Sequence, residues 1–174
     1  MSYLELLAEC SIALTGFGAI LAALRGSDSY RGVFHAWTVV VEAGAAFVLS
    51  LIPLVLALGP MASIILWHTA STIGLVVTLT ILISIIAIDR RFSQLGFPPQ
   101  AVVMIRTAQA CCVLAVVAML SNTLGWPWSP DPFRYGVAIT LLLVSSLIAL
   151  LHSFFVPLQM SLAEARSRNT PNGE

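Results

Sequence analysis

Five stretches of the chain, at about 3–24, 37–58, 62–88, 101–124 and 134–156, each run for roughly twenty residues with almost no charge. At ~1.5 Å per residue, a helix of that length crosses the ~30 Å hydrocarbon core of a bilayer. Transmembrane strands would alternate apolar and polar residues over about ten positions. These stretches are continuously apolar, so strands are a poor alternative. Composition agrees: 59% of the 174 residues are hydrophobic and 9% are charged, where a soluble domain is about 25% charged. A mean hydropathy of +0.96 exceeds what a soluble core of this size can hide. The expected fold is an all-α integral membrane protein, a bundle of five transmembrane helices.

The helices form one domain, 1–158, and a polar tail, 159–174, is expected to be partly disordered. Connections are short. Gly59-Pro60 makes a hairpin, and 125–133 reads GWPWSPDPF, a stiff loop whose tryptophans suit a headgroup-level anchor. No basic residue precedes the first stretch, so it does not read as a secretory signal and is expected to persist. Arginine sets the orientation, since the chain has no lysine. Arg25, Arg31, Arg90, Arg91, Arg166 and Arg168 flank one side, and Arg134 alone flanks the other. This bias predicts the N-terminus outside and the C-terminus in the cytoplasm.

A net charge of zero and the absence of a basic run argue against nucleic-acid binding. Cys10, Cys111 and Cys112 lie in apolar stretches and read as small hydrophobes. No metal-ligand spacing, phosphate loop, nucleophile elbow or haem-holding histidine pair is present, so neither metal nor cofactor is expected.

The polar residues at membrane depth are the candidates for function. Glu42 is some six residues into the second stretch, or ~9 Å from its inner end. Arg106 and His152 lie at comparable depth on the fourth and fifth, and Gln109 joins them. A carboxylate at such depth is costly unless it meets a cation, water or protein. One reading is a polar gate or proton relay near the cytoplasmic mouth. The other is a static Glu42–Arg106 ion pair. A second layer near the outer side holds Glu9, with His68, Ser71 and Thr72 on one side of the third stretch. A Glu9–His68 pair would either carry protons or hold a fixed hydrogen bond.

Small residues mark the contact faces. Ala8, Ser11, Thr15, Gly18 and Ala22 recur every three or four positions on the first helix, and Gly44 follows Glu42. Such faces let helix backbones approach closely, inside a protomer or between protomers. Ser145, Ala149 and His152 form a similar stripe. Pro53 removes a backbone donor from the second helix and should bend it.

The run LTGFGAILAALRG, 14–26, resembles the first helix of small bacterial inner-membrane proteins of unassigned function. The resemblance implies a multi-pass protein of the bacterial inner membrane and no particular activity. Three functions are weighed. A homo-oligomeric channel or permease for an ion, proton or small solute is favoured by ionisable residues at depth. An accessory or scaffold subunit of a larger membrane complex would use the same small-residue faces. An intramembrane enzyme lacks a nucleophile–base or metal constellation, so the chain is not expected to be one.

Overall fold

The structure is a computed structural model that describes residues 3–25, 30–60, 62–92, 99–125 and 129–169. Among them are five α-helices and no strand: α1 Tyr3–Arg25, α2 Tyr30–Leu56, α3 Ser63–Phe92, α4 Pro99–Leu124 and α5 Pro132–Asn169. Each contains a segment long and apolar enough to cross a membrane.

The helices outrun the apolar stretches. Helix α2 starts at Tyr30 rather than 37, α3 continues to Phe92 rather than 88, and α5 continues to Asn169 rather than ending near 156. An apolar run reports what can sit in lipid, whereas a helix stops only where its backbone hydrogen bonds stop. The segment 158–167 is rich in Leu, Gln, Met, Ala, Glu and Arg, all good helix formers. The tryptophans of the GWPWSPDPF loop lie outside the described residues.

Local chemistry explains the ends. Asp131 caps α5: its Oδ1 accepts the Arg134 amide at 3.0 Å, and Pro132 opens the helix, where no donor is needed. Gly125 ends α4 at φ 63°, in the left-handed region that glycine enters without steric cost. Within the spans, serines and threonines return their hydroxyl protons to carbonyls one turn back. Ser11 reaches Leu7 O at 2.6 Å, Ser50 reaches Ala46 O at 2.8 Å and Thr78 reaches Gly74 O at 2.8 Å. A hydroxyl satisfied in this way can sit in an apolar medium.

Helices α2, α3, α4 and α5 form a ring in which each touches its neighbours, and α1 lies outside against α2 and α5. Helix α5 touches all the others, and 56% of its span is buried, against 22% for α1. Leu49, Met119, Tyr135, Ile139 and Leu142 fill the centre. The exterior is apolar, with Phe17, Val55, Ile64, Val76 and Leu114 more than half exposed. Several polar side chains lie inside: Glu42, Ser50, Ser71, Thr78, Asn122, Ser145 and Ser146 are all fully buried.

The stripe on α1 packs within the protomer. Ala8 and Ser11 are buried and Thr15 is half-buried. At Gly18 a Cβ would lie 2.8 Å from Val39 Cγ1 on α2. The Ala22 side chain lies outside the described residues. Gly44 departs from the expectation of a packing residue, because a Cβ there would meet nothing within 4 Å. Its position on α2 turns away from the faces that Glu42 and Val39 present to the bundle.

Pro53 cannot donate to the carbonyl of Leu49, four residues earlier. The structure supplies another donor: Tyr135 Oη on α5 reaches Leu49 O at 2.7 Å. Both residues are fully buried, and Trp67 packs on the Tyr135 ring with centroids 5.8 Å apart. Tyr135→Phe keeps the ring and orphans the carbonyl. It should destabilise the protein by about 1–2 kcal/mol, read as a lower midpoint in a detergent unfolding titration. A midpoint equal to the parent's would mean that this carbonyl needs no donor.

Candidate functional site

Glu42 projects from α2 into the bundle and is fully buried. Its Oε1 accepts from Cys112 Sγ on α4 at 3.5 Å, and Ser145 on α5 also hydrogen-bonds the carboxyl. Ser145 Oγ lies 3.5 Å from Cys112 Sγ and 3.3 Å from the Ala108 carbonyl. One helical position on, Ser146 donates to Val39 O at 3.2 Å, fastening α5 to α2 beside the cluster. Three helices thus converge on one carboxyl. Ser145 has a single proton, so it cannot donate to the carboxyl and to Ala108 O at once.

Among the described residues, Glu42 Oε2 has no hydrogen-bond partner. Buried polar oxygens are rarely left so, because an unmade hydrogen bond in an apolar medium costs kilocalories. Beside the carboxyl, a crevice of about 160 Å³ opens between α2 and α3. Thr38, Val41, Thr80, Ile81, Ser84 and Ile85 line it with Glu42, and the surface they present is almost wholly apolar. Thr80 and Ser84 turn their hydroxyls back onto Val76 O and Thr80 O, each at 2.8 Å. The orphaned carboxyl oxygen is therefore the unsatisfied polar group beside the crevice, and a proton or a small cation would satisfy it.

Arg106 does not join this cluster. Its Nη1 donates to Gln109 Oε1 at 3.3 Å, and Gln109 Nε2 donates to Asp89 Oδ2 at 3.0 Å. The expected Glu42–Arg106 ion pair is absent among the described residues. The residue of α4 level with Glu42 is Cys112, which touches it. Arg106 precedes Cys112 by six positions, ~9 Å along α4 and about 120° round it, so it differs from Glu42 in depth as well as in direction. Helices α2 and α4 stand across the ring from one another and make no backbone approach among the described residues. The His152 side chain lies outside the described residues.

The outer layer also differs from expectation. Glu9 and His68 are both exposed, and α1 and α3 do not touch among the described residues, so no pair forms between them. Thr72 is exposed and donates to His68 O within α3 at 2.8 Å. Ser71 is fully buried and belongs to a different group. Asn122 Nδ2 donates to Ser71 Oγ at 2.7 Å and to Asp131 O at 3.1 Å, while its Oδ1 accepts the Asp131 amide at 2.8 Å. This network ties the start of α5 to α3 and α4. Arg134 Nε then lies 3.3 Å from Asp131 Oδ2.

Sequence reasoning missed Cys112 and Asn122. Asn122 had a signal: it is the sole asparagine within an apolar stretch, one turn before the proline-rich loop. Cys112 had none, because a buried cysteine next to another cysteine reads as a small hydrophobe. No group of three or more His, Cys, Asp or Glu able to hold a metal occurs among the described residues. Comparison with protein-family models, with curated proteins and with solved structures returns no match to this chain.

Proposed function

We propose that this is a multi-pass transport protein of the bacterial inner membrane that moves protons or a small cation, with Glu42 as the group that holds the moving charge. The observation that carries the reading is the orphaned Oε2 of a fully buried carboxyl beside an apolar crevice. An ionisable group held inside an apolar bundle is costly, and such groups mark ion and proton pathways. The filled centre argues against a wide pore through one protomer. A path for anything larger than a bare ion would follow the α2–α3 crevice or run between copies in a homo-oligomer.

Membrane insertion is supported by five long apolar helices, by their largely apolar exterior and by the burial of several polar side chains between them. The six-to-one arginine bias supports the N-terminus outside. A reporter fused after Pro60 should then read periplasmic and one after Gln100 cytoplasmic. The reverse pattern would invert the orientation.

The transport reading is tested in liposomes containing only this protein. Glu42→Gln keeps the size of the side chain and removes its ability to exchange a proton. The parent should dissipate a proton or monovalent-cation gradient, and Glu42→Gln protein, still folded, should match protein-free liposomes. Equal flux from both would remove Glu42 from the mechanism. Silence from the parent would favour a non-transporting subunit of a larger complex. For that reading, the open space beside Gly16 and Gly44 offers faces where another helix backbone could approach.

A further inference from the structure

On the other side of α3 from the Glu42 crevice, a groove of about 420 Å³ runs between α3 and α4. Its lining changes character along its length. Asp89, Arg90, Arg106 and Gln109 form one end, and Ile86, Leu82 and Val113 continue it. The polar end lies where α3's apolar run closes at Ile88 and gives way to Asp89 and Arg90, and the Gln109–Asp89 hydrogen bond holds Gln109, less than one turn beyond Arg106 on α4, at that level. Val113 is seven residues further along α4 than Arg106, or ~10 Å towards the middle of the span. Leu82 is eight residues before Arg90, or ~12 Å. The groove is therefore charged at headgroup level and apolar at acyl level.

The charge balance selects the occupant. Asp89 accepts from Gln109, and Gln109 in turn accepts from Arg106. The carboxylate of the wall is thus engaged by a neutral amide, and the Arg106 guanidinium, also bound to that neutral amide, brings its full positive charge to the groove. Arg106 is exposed and uses Nη1 in that chain, so among the described residues its remaining N–H groups point to no partner. A guanidinium fork fits phosphate oxygens, and basic pockets between helices on the cytoplasmic side suit anionic headgroups.

We propose that this groove seats one anionic phospholipid of the bilayer, with its phosphate on Arg106 and its first acyl carbons against Ile86, Val113 and Leu82. The proposal rests on the membrane reading above and is independent of any role for Glu42. A lipid held there would bridge α3 and α4 beside the connection between them and so stabilise the bundle.

Purified protein in a neutral detergent is unfolded thermally with added phosphatidylglycerol, phosphatidylcholine or inorganic phosphate. Phosphatidylglycerol should raise the midpoint in a saturable way. Phosphatidylcholine at the same mole fraction should do less, and inorganic phosphate should do nothing. Arg106→Gln should weaken the apparent affinity for phosphatidylglycerol by about tenfold, as expected for one lost charge-assisted contact, and Arg106→Lys by less. Val113→Phe fills the apolar part of the groove at a half-exposed position and should weaken it also. That variant keeps the test decisive if Arg106→Gln protein does not fold. Equal effects of the two lipids, or undiminished affinity in Val113→Phe or folded Arg106→Gln protein, would overturn the proposal. A full effect from inorganic phosphate would reduce the site to a free-anion site. Carbonate extraction separates the two failures: protein that leaves the membrane pellet refutes the membrane reading itself, whatever the lipid result.

Discussion

Asn122→Ala should be the most damaging single truncation at the end of the bundle where α4 gives way to α5. One side chain makes three hydrogen bonds there, to Ser71 Oγ, the Asp131 carbonyl and the Asp131 amide. Alanine removes all three, and at a fully buried position no water replaces them. Single hydrogen bonds between membrane helices are modest, about 0.6 kcal/mol on average and up to ~1.7. Three lost together, with buried groups left unpaired, should cost about 2–4 kcal/mol. Asn122→Asp should be no better. It retains the acceptor for the Asp131 amide, loses both donor contacts and places a carboxyl close to that of Asp131. The expected readout is a lower midpoint for both variants in an unfolding titration, with earlier proteolysis between α4 and α5. A loss below about 0.5 kcal/mol for Asn122→Ala, the range of an ordinary surface substitution, would show that the network does not hold the loop.

A comparable loss is expected from Gly18→Leu, and its control lies two residues away. At Gly18 even a Cβ would come within 2.8 Å of Val39 Cγ1 and 3.2 Å of Val40 Cγ2. Valine has little rotamer freedom in a helix, so those methyl groups cannot swing aside. Leucine adds three further carbons, and α1 must then lift from α2. Overpacking typically costs about 1–3 kcal/mol and sometimes more. At Gly16 a Cβ meets nothing within 4 Å. Gly16→Leu should therefore be neutral, or stabilising by up to about 1 kcal/mol through helix propensity. Both variants add the same side chain to the same helix. If their unfolding midpoints shift alike, α1 does not dock on α2 through Gly18.

The parts of the fold that were legible were those set by one-dimensional rules. Each span was visible as an apolar run, and the small-residue stripe on α1 was visible as a spacing of three and four. The burial of Ala8, Ser11 and Gly18 agrees with that spacing. Helix ends were less legible, because capping by Asp131 and Gly125 depends on backbone geometry that an apolar run does not report. Tyr135 was not legible at all. The carbonyl freed by Pro53 could be deduced, but its donor comes from another helix, 86 residues along the chain.

The polar candidates divide in the same way. Glu42 was recognisable because a carboxylate inside an apolar stretch is costly wherever the helix sits. Relative depth was not, because it was counted from the ends of apolar runs, and those ends do not line up from helix to helix. Azimuth between helices was not legible either. It depends on which helices are neighbours in the ring and how each is rotated, and both follow from the summed packing of many side chains. Arg106 was expected at the depth of Glu42, yet it lies against Gln109, six positions from Cys112, and it is Cys112 and Ser145 that meet the carboxyl. Glu9 and His68 were expected to pair, on helices that do not touch among the described residues. The sequence by itself determined the apolar character of the five stretches, the number of helices among the described residues and the cost of the carboxyl at Glu42, because each is a property of composition along a line. Only the tertiary structure decided what that carboxyl faces, because close packing selects partners by direction as well as by depth.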